Sequence, residues 1–200
     1  MGFRNSAALL AAVLVLLHAT DAVAADKKAK VRPTGVKGLL GVVIPDDADA
    51  GLLIGGAANL GTVFQPWMHL TAGATRWSAD IDPAAFSDRT GTLRDFRLFT
   101  SVGLELPPVS GVQGYVNLGL AAHFLDAKVP DDEDLADAIS GTNIGAEIGY
   151  GLLSTAGSFN LGAEVRREFV DDASNWAVVF GIGTRWDKPK TGTTTTTIQR

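Results

Sequence analysis

The chain of 200 residues contains no cysteine. That excludes a disulfide framework, a thiolate-ligated metal and a thiol nucleophile. Charge is also sparse: 20% of residues are charged, against roughly 25% in an ordinary soluble chain. The net charge is -5, so no basic face is on offer to nucleic acid. Long apolar runs are missing too. The longest internal one, Gly51 to Phe64, is Gly-rich and falls short of the roughly 20 residues that a helix needs to cross a bilayer. No P-loop, GxSxG, HExxH or dinucleotide fingerprint occurs. The reading is of a protein that is not an enzyme, with no catalytic residue, cofactor or metal site.

What is present begins with a targeting signal. Residues 1–25 read as a secretory signal peptide. Arg4 supplies the positive start, Ala7 to Leu17 the apolar core, and Ala22-Val23-Ala24 the small-residue cleavage pattern. Cleavage would release the mature chain outside the cytoplasm, where any membrane crossing must be made by strands. Residues 26–36, beginning DKKAKVRP, read as a basic, flexible lead-in. Residues 187–200, with the threonine run Thr193 to Thr197, read as a disordered polar tail.

Residues 37–186 alternate between apolar and small polar side chains in eight segments. These are Lys37–Ile44, Leu52–Phe64, Trp67–Ala79, Thr92–Leu106, Gly114–Asp126, Thr142–Leu153, Ser158–Phe169 and Asn175–Trp186. Period-two alternation marks strands with two unlike faces. In the sixth, Ile144, Ala146, Ile148, Tyr150 and Leu152 oppose Asn143, Gly145, Glu147, Gly149 and Gly151. The polar face is Gly, Asn and Ser with an isolated Arg or Glu, and almost no Lys. Small residues with a few charges suit a narrow lumen, and the apolar face then meets lipid.

The connections alternate in chemistry. The first, third, fifth and seventh are acidic and carry 13 of the 22 acidic residues, whereas the second, fourth and sixth carry none. In an up-and-down meander, alternate connections lie at opposite ends, so the acidity gathers on one rim. Long charged loops at one end and tight turns at the other match external loops and periplasmic turns. Leu135 and Ile139 predict one short helical turn in the loop that holds Asp131, Asp132, Glu133 and Asp134. Aromatics lie near both ends: Phe64, Trp67, Phe159 and Trp186 at the turns, and Trp77, Phe96, Phe124, Phe169 and Trp176 at the loops. These suggest interfacial girdles. The third segment resists this, because Trp67 and Trp77 share parity with His69 and Thr71. Either a bulge shifts the face or these tryptophans do not meet lipid.

Export signal, eight strands, short turns, acidic loops and a Gly-patterned lumen resemble the small outer-membrane barrels of the OmpA-transmembrane and OmpX type. Phe180-Gly181-Ile182-Gly183-Thr184-Arg185-Trp186 resembles the terminal strand signal of such proteins, although here residues 187–200 follow it. The resemblance implies an eight-stranded antiparallel up-and-down transmembrane barrel in the bacterial outer membrane. It implies handling by the barrel assembly machinery, contact with lipid and lipopolysaccharide, and a monomer with a structural or surface-interaction role. An extracellular ligand or divalent cations at the acidic loops complete the expected partners. Alternatives are a narrow pore, a soluble lipocalin-like ligand-binding barrel, and a lipid A-modifying barrel enzyme.

Lumen charges need partners in a confined interior. The expected network joins Arg97 and Arg166 to Glu147 and Glu164, with Glu105 and Arg185 as a separate pair near the turns. His123 is read as a lumen hydrogen-bonding group. Arg76, Arg94 and Arg167 carry lipid-facing parity near the loop end, and are assigned as lipopolysaccharide contacts.

Overall fold

A computed structural model describes residues 32–81, 90–130, 132–171 and 174–186. The expected signal peptide, the tail and the greater part of the lead-in lie outside the described residues. Eight strands follow one another: β1 (Gly35–Pro45), β2 (Gly51–Thr62), β3 (Met68–Asp80), β4 (Thr92–Glu105), β5 (Val112–Lys128), β6 (Gly141–Ala156), β7 (Phe159–Phe169) and β8 (Asn175–Arg185). Each pairs antiparallel with the next, and β1 pairs with β8, so the sheet closes into a barrel with no free edge. One helix, α1 (Glu133–Ile139), lies between β5 and β6, capped by the Asp132 side chain on the Leu135 amide at 3.0 Å. β1 begins at Gly35, inside the segment read as lead-in.

The alternation in sequence becomes inside and outside. In β6, Gly145, Glu147, Gly149 and Gly151 are buried while Ile144, Ala146, Ile148 and Tyr150 are exposed. The outer wall carries exposed Leu40, Ile54, Leu120, Ile148, Leu161 and Ile182, which lie on six different strands. Such a continuous apolar exterior is far larger than the patches a water-soluble monomer tolerates. With charges inside and aliphatics outside, the wall is the inverse of a soluble ligand-binding barrel, and the lipocalin-like alternative falls. No described helix is long and apolar enough to cross a membrane, so the strands are the spanning elements.

Connections at the two ends differ in build. At the turn end, Ser110 and Gly111 both take positive φ, 52° and 81°, between bridged Val109 and Val112. Two successive positive φ values give the mirror-image turn whose twist suits a hairpin. At the loop end, α1 places Leu135, Ala136 and Ile139 against the inner core, beside buried Val129, Val170 and Ile81. The predicted helical turn is therefore present and serves as part of an apolar lid.

Trp77 corrects the girdle assignment. It is 2% exposed and points inward with Leu53, Val43 and Leu93. The register irregularity lies in β2, between Asn59 and Thr62, and β3 continues unbroken beside β4. Parity therefore holds along β3 and carries Trp77 into the lumen. Trp67 precedes β3 and is exposed at the turn end. Phe96, Phe159, Phe169, Trp176 and Trp186 are exposed as a girdle requires.

Candidate functional site

The lumen has three levels. At mid-height lies a belt of buried charge. Arg97 on β4 and Arg166 on β7 face Glu147 on β6 and Glu168 on β7. Arg97 is 0% exposed. Both guanidiniums contact both carboxylates: Arg97 meets Glu147 directly and Glu168 at 3.3 Å. Arg166 meets Glu168 at 2.7 Å and Glu147 at 3.8 Å. Glu147 and Glu168 are register partners across β6 and β7. Two like charges brought so close need shared cations, and the two arginines provide them.

The belt extends both ways. Glu164 accepts from Asn117 Nδ2 at 2.6 Å and from the Tyr115 hydroxyl at 3.0 Å, and lies 3.8 Å from Arg166. His123 is fully buried, with Nδ1 2.7 Å from Asp95 and Nε2 3.9 Å from Glu168. Asn175 donates to Glu168 at 3.1 Å. The Arg97 guanidinium also sits over the Phe99 ring, 4.4 Å from its centroid. The glycines of the lumen face make this crowding possible. A Cβ on Gly149 would strike the Glu164 carboxylate, and one on Gly119 would strike the Glu147 side chain.

Of the six lumen residues singled out in sequence, Arg97, Arg166, Glu147 and Glu164 come together here. Glu105 and Arg185 do not pair. Glu105 instead meets His69 Nε2 at 3.0 Å, while Arg185 is exposed at the turn end. The reason is circumferential. β3 adjoins β4, whereas β8 is four strands from it, on the opposite wall of the barrel. Equal height alone cannot bring those two side chains together. Asp95 and Glu168 belong to the belt and were missed. Both share lumen parity with residues already chosen, Asp95 with Arg97 and Glu168 with Arg166, so the alternation itself contained the signal.

Above the belt the lumen is apolar, filled by Val43, Leu53, Trp77, Leu93 and Leu125 beneath the α1 lid. Below it lies a cavity that is lined by all eight strands and includes Lys37, Tyr115, Gly181 and Arg185.

On the outer face, Arg76 is exposed and Arg94 half-buried, on neighbouring strands at the loop end with exposed Phe96 beside them. Neither forms an ion pair among the described residues. Arg167 is engaged. Its guanidinium makes two bonds to Asp46, of 2.8 and 2.7 Å, and lies over Phe169 and Trp176. Arg167 in turn holds the Asp46 carboxyl below the usual carboxylate range. The described residues contain no cluster of His, Cys, Asp or Glu with metal-holding geometry. Asp131 lies outside the described residues.

The architecture is now sufficient to place the chain. Its fold is that of the small outer-membrane barrels. The Neisserial surface protein A crystal structure superposes with a TM-score of 0.58 at 12% identity, covering 76% of this chain and 96% of that one. The attachment invasion locus protein of Yersinia pestis gives 0.49 at 13% identity, over 78% and 99% of the two chains. The N-terminal barrel of Pseudomonas aeruginosa OprF gives 0.45 at 17% identity, over 76% and 97%. No protein-family model and no curated protein matches the sequence. At such identities the likeness is one of fold.

Proposed function

We propose that this protein is an outer-membrane barrel of the bacterial surface, with a structural or surface-interaction role. The observation that carries the reading is the inverted wall: exposed aliphatic side chains on six of the eight strands and buried charge within. Lipid is the solvent in which that exterior is stable. The acidic connections all lie at one end, where α1 and its flanking acids face outward. We assign that end to the cell exterior and the tight turns to the periplasm.

The belt and the apolar layer above it support a closed lumen over a narrow pore. An eight-stranded interior is just wide enough to be filled by side chains. The lipid A-modifying alternative has little to draw on. His123, paired with Asp95, is fully buried in the lumen, away from any lipid substrate. Of the three outward arginines, Arg76 and Arg94 remain the candidate contacts for lipopolysaccharide phosphates, since Arg167 is held by Asp46, and the acidic rim remains available to cations or an extracellular ligand.

Two measurements test this. Detergent-extracted protein should migrate faster on gels before heating than after. On intact cells, a protease site inserted between Asp132 and Asp134 should be cut, and one inserted between Ser154 and Gly157 should be protected. A protein found wholly in the soluble periplasm would overturn the membrane reading, and the opposite cleavage pattern would reverse the orientation.

A further inference from the structure

The cavity below the belt has an unequal distribution of charge. Its three carboxylates already hold donors: Glu105 meets His69, Glu164 meets Tyr115, Asn117 and Arg166, and Glu147 meets Arg97. Its cations on the β8–β1 wall touch no acceptor directly among the described residues. Lys37 has inward parity on β1, lines the cavity, and makes no hydrogen bond or ion pair among the described residues; Glu164, which lines the same cavity, attracts it only from a distance. Arg185 lies at the mouth on the neighbouring strand, opposite Gly35 and so one inward position from Lys37. It likewise forms no ion pair among the described residues.

The space itself lies on the same wall. Gly162, Gly181 and Gly183 line it, and the Lys37 stem runs along the last two: a Cβ on Gly181 would sit 3.8 Å from Lys37 Cδ. The cavity measures about 150 Å³. One water needs roughly 10–15 Å³ on this measure, so the room suits a small ion with its hydration, not a macromolecule. Phe99, whose ring also carries the Arg97 guanidinium, contributes to the lining.

From an ammonium with no direct acceptor among the described residues, the glycine-opened space beside it and the second cation at the mouth, we propose that the turn-end cavity is a binding site for a small anion. The ligand class is a carboxylate or phosphate of a few heavy atoms. Lys37 holds it and Arg185 draws it in. An ammonium satisfied by an oxyanion makes the stronger, charge-assisted kind of hydrogen bond. The membrane reading supplies only the side of entry, the periplasm, and the site does not depend on it.

The test uses ¹⁵N-labelled full-length mature chain refolded in detergent micelles at low chloride. Inorganic phosphate and acetate are titrated separately while the amides of Gly181 and Gly183 are followed. Saturable shifts with either probe are expected, and the probe that gives them names the anion chemistry. Lys37→Met should weaken binding about 10-fold or more, the scale of losing a bond to a charged group. Lys37→Arg should keep it, and Arg185→Gln should weaken it less. Heat-modifiable migration confirms that each variant is folded. Absence of saturable shifts with both probes, or full affinity retained in folded Lys37→Met, overturns the proposal. A protein that proves periplasmic and soluble yet binds the probe through Lys37 would overturn the function above and leave this site intact.

Discussion

Arg167 on β7 reaches across β8 to Asp46, just beyond β1, with bonds of 2.8 and 2.7 Å. Trp176 of β8 lies beneath the guanidinium, 5.5 Å from its ring centroid. Because β8 pairs with β1 to close the barrel, this contact ties the first strand to the penultimate one over the closing seam. An exposed pair contributes about 0.2–1 kcal/mol, and the cation–aromatic contact adds about 0.5–1 kcal/mol. Arg167→Ala should therefore lower the unfolding free energy more than Asp46→Ala. A double-mutant cycle in urea should return a coupling of a few tenths of a kcal/mol or more.

The same pair sets a pH dependence. Asp46 is held below the usual carboxylate range by Arg167. A lowered carboxyl stabilises the fold above its unfolded value, about 3.9, and loses that contribution as pH falls through the lower folded value. Urea midpoints should therefore drop more steeply below about pH 4 in wild type than in Asp46→Asn. Parallel curves would show that the pair contributes nothing to folding.

The belt predicts a contrast between inner and outer acids. Glu147 is buried against two arginines, and Asp137 on α1 is exposed. Removing one partner of a buried pair typically costs about 3–5 kcal/mol, whereas surface changes stay within about 0.5 kcal/mol. Glu147→Ala should lower the denaturant midpoint far more than Asp137→Ala. Equal midpoints would mean that the belt charges are solvated.

Much of this was legible in the sequence because a barrel wall has one simple rule, period two, and here the two faces differ sharply in chemistry. Strand ends were placed within about three residues, and Arg97, Arg166, Glu147 and Glu164 were singled out by parity and height. Where another cue displaced parity, the reading failed. Trp77 was given to the girdle because aromatics collect near strand ends, although its parity pointed inward. Glu105 was matched to Arg185 on height, without the angular position around the barrel that only closure defines. Asp95 and Glu168 shared the right parity and were overlooked among more central charges. The apolar layer above the belt was not anticipated, since its residues come from separate strands that meet only on closing.

That apolar layer predicts how the barrel should behave as a conductor. Trp77 lies one inward position above Thr75, which accepts a bond from Arg97 at 3.4 Å. Side chains therefore fill the lumen at two levels, the charged belt and Trp77 with Leu53, Val43 and Leu125. In planar bilayers wild type should be silent or nearly so. Glu147→Ala alone should remain so, while Glu147→Ala with Trp77→Ala should give measurable openings. Stable large openings in wild type would support a porin instead.

Lipopolysaccharide should discriminate among the three outward arginines. Arg at a barrel's lipid face costs about 2–4 kcal/mol at mid-bilayer and about 0–1 near the interface. All three lie near the loop end, where snorkelling to water suffices to accommodate them. Phosphate binding asks for more, a guanidinium free to pair bidentately. Arg167 is already taken by Asp46, whereas Arg76 and Arg94 form no ion pair among the described residues. These two sit diagonally across β3 and β4, each opposite a neighbour of the other: Arg76 faces Phe96, and Arg94 faces Ser78. Two cations flanking one aromatic at the interface offer a phosphate two donors and its lipid an apolar contact. The acidic rim above would repel an anionic leaflet, which makes such an anchor more valuable. Thermal stabilisation of the purified barrel by lipopolysaccharide should therefore fall in Arg76→Ala with Arg94→Ala. It should survive in Arg167→Ala once that variant's own lower baseline is subtracted. Lysine at the first two positions should restore part of it, since an ammonium carries the charge without the bidentate fork. If the Arg76→Ala, Arg94→Ala barrel is stabilised as much as wild type, these side chains only snorkel.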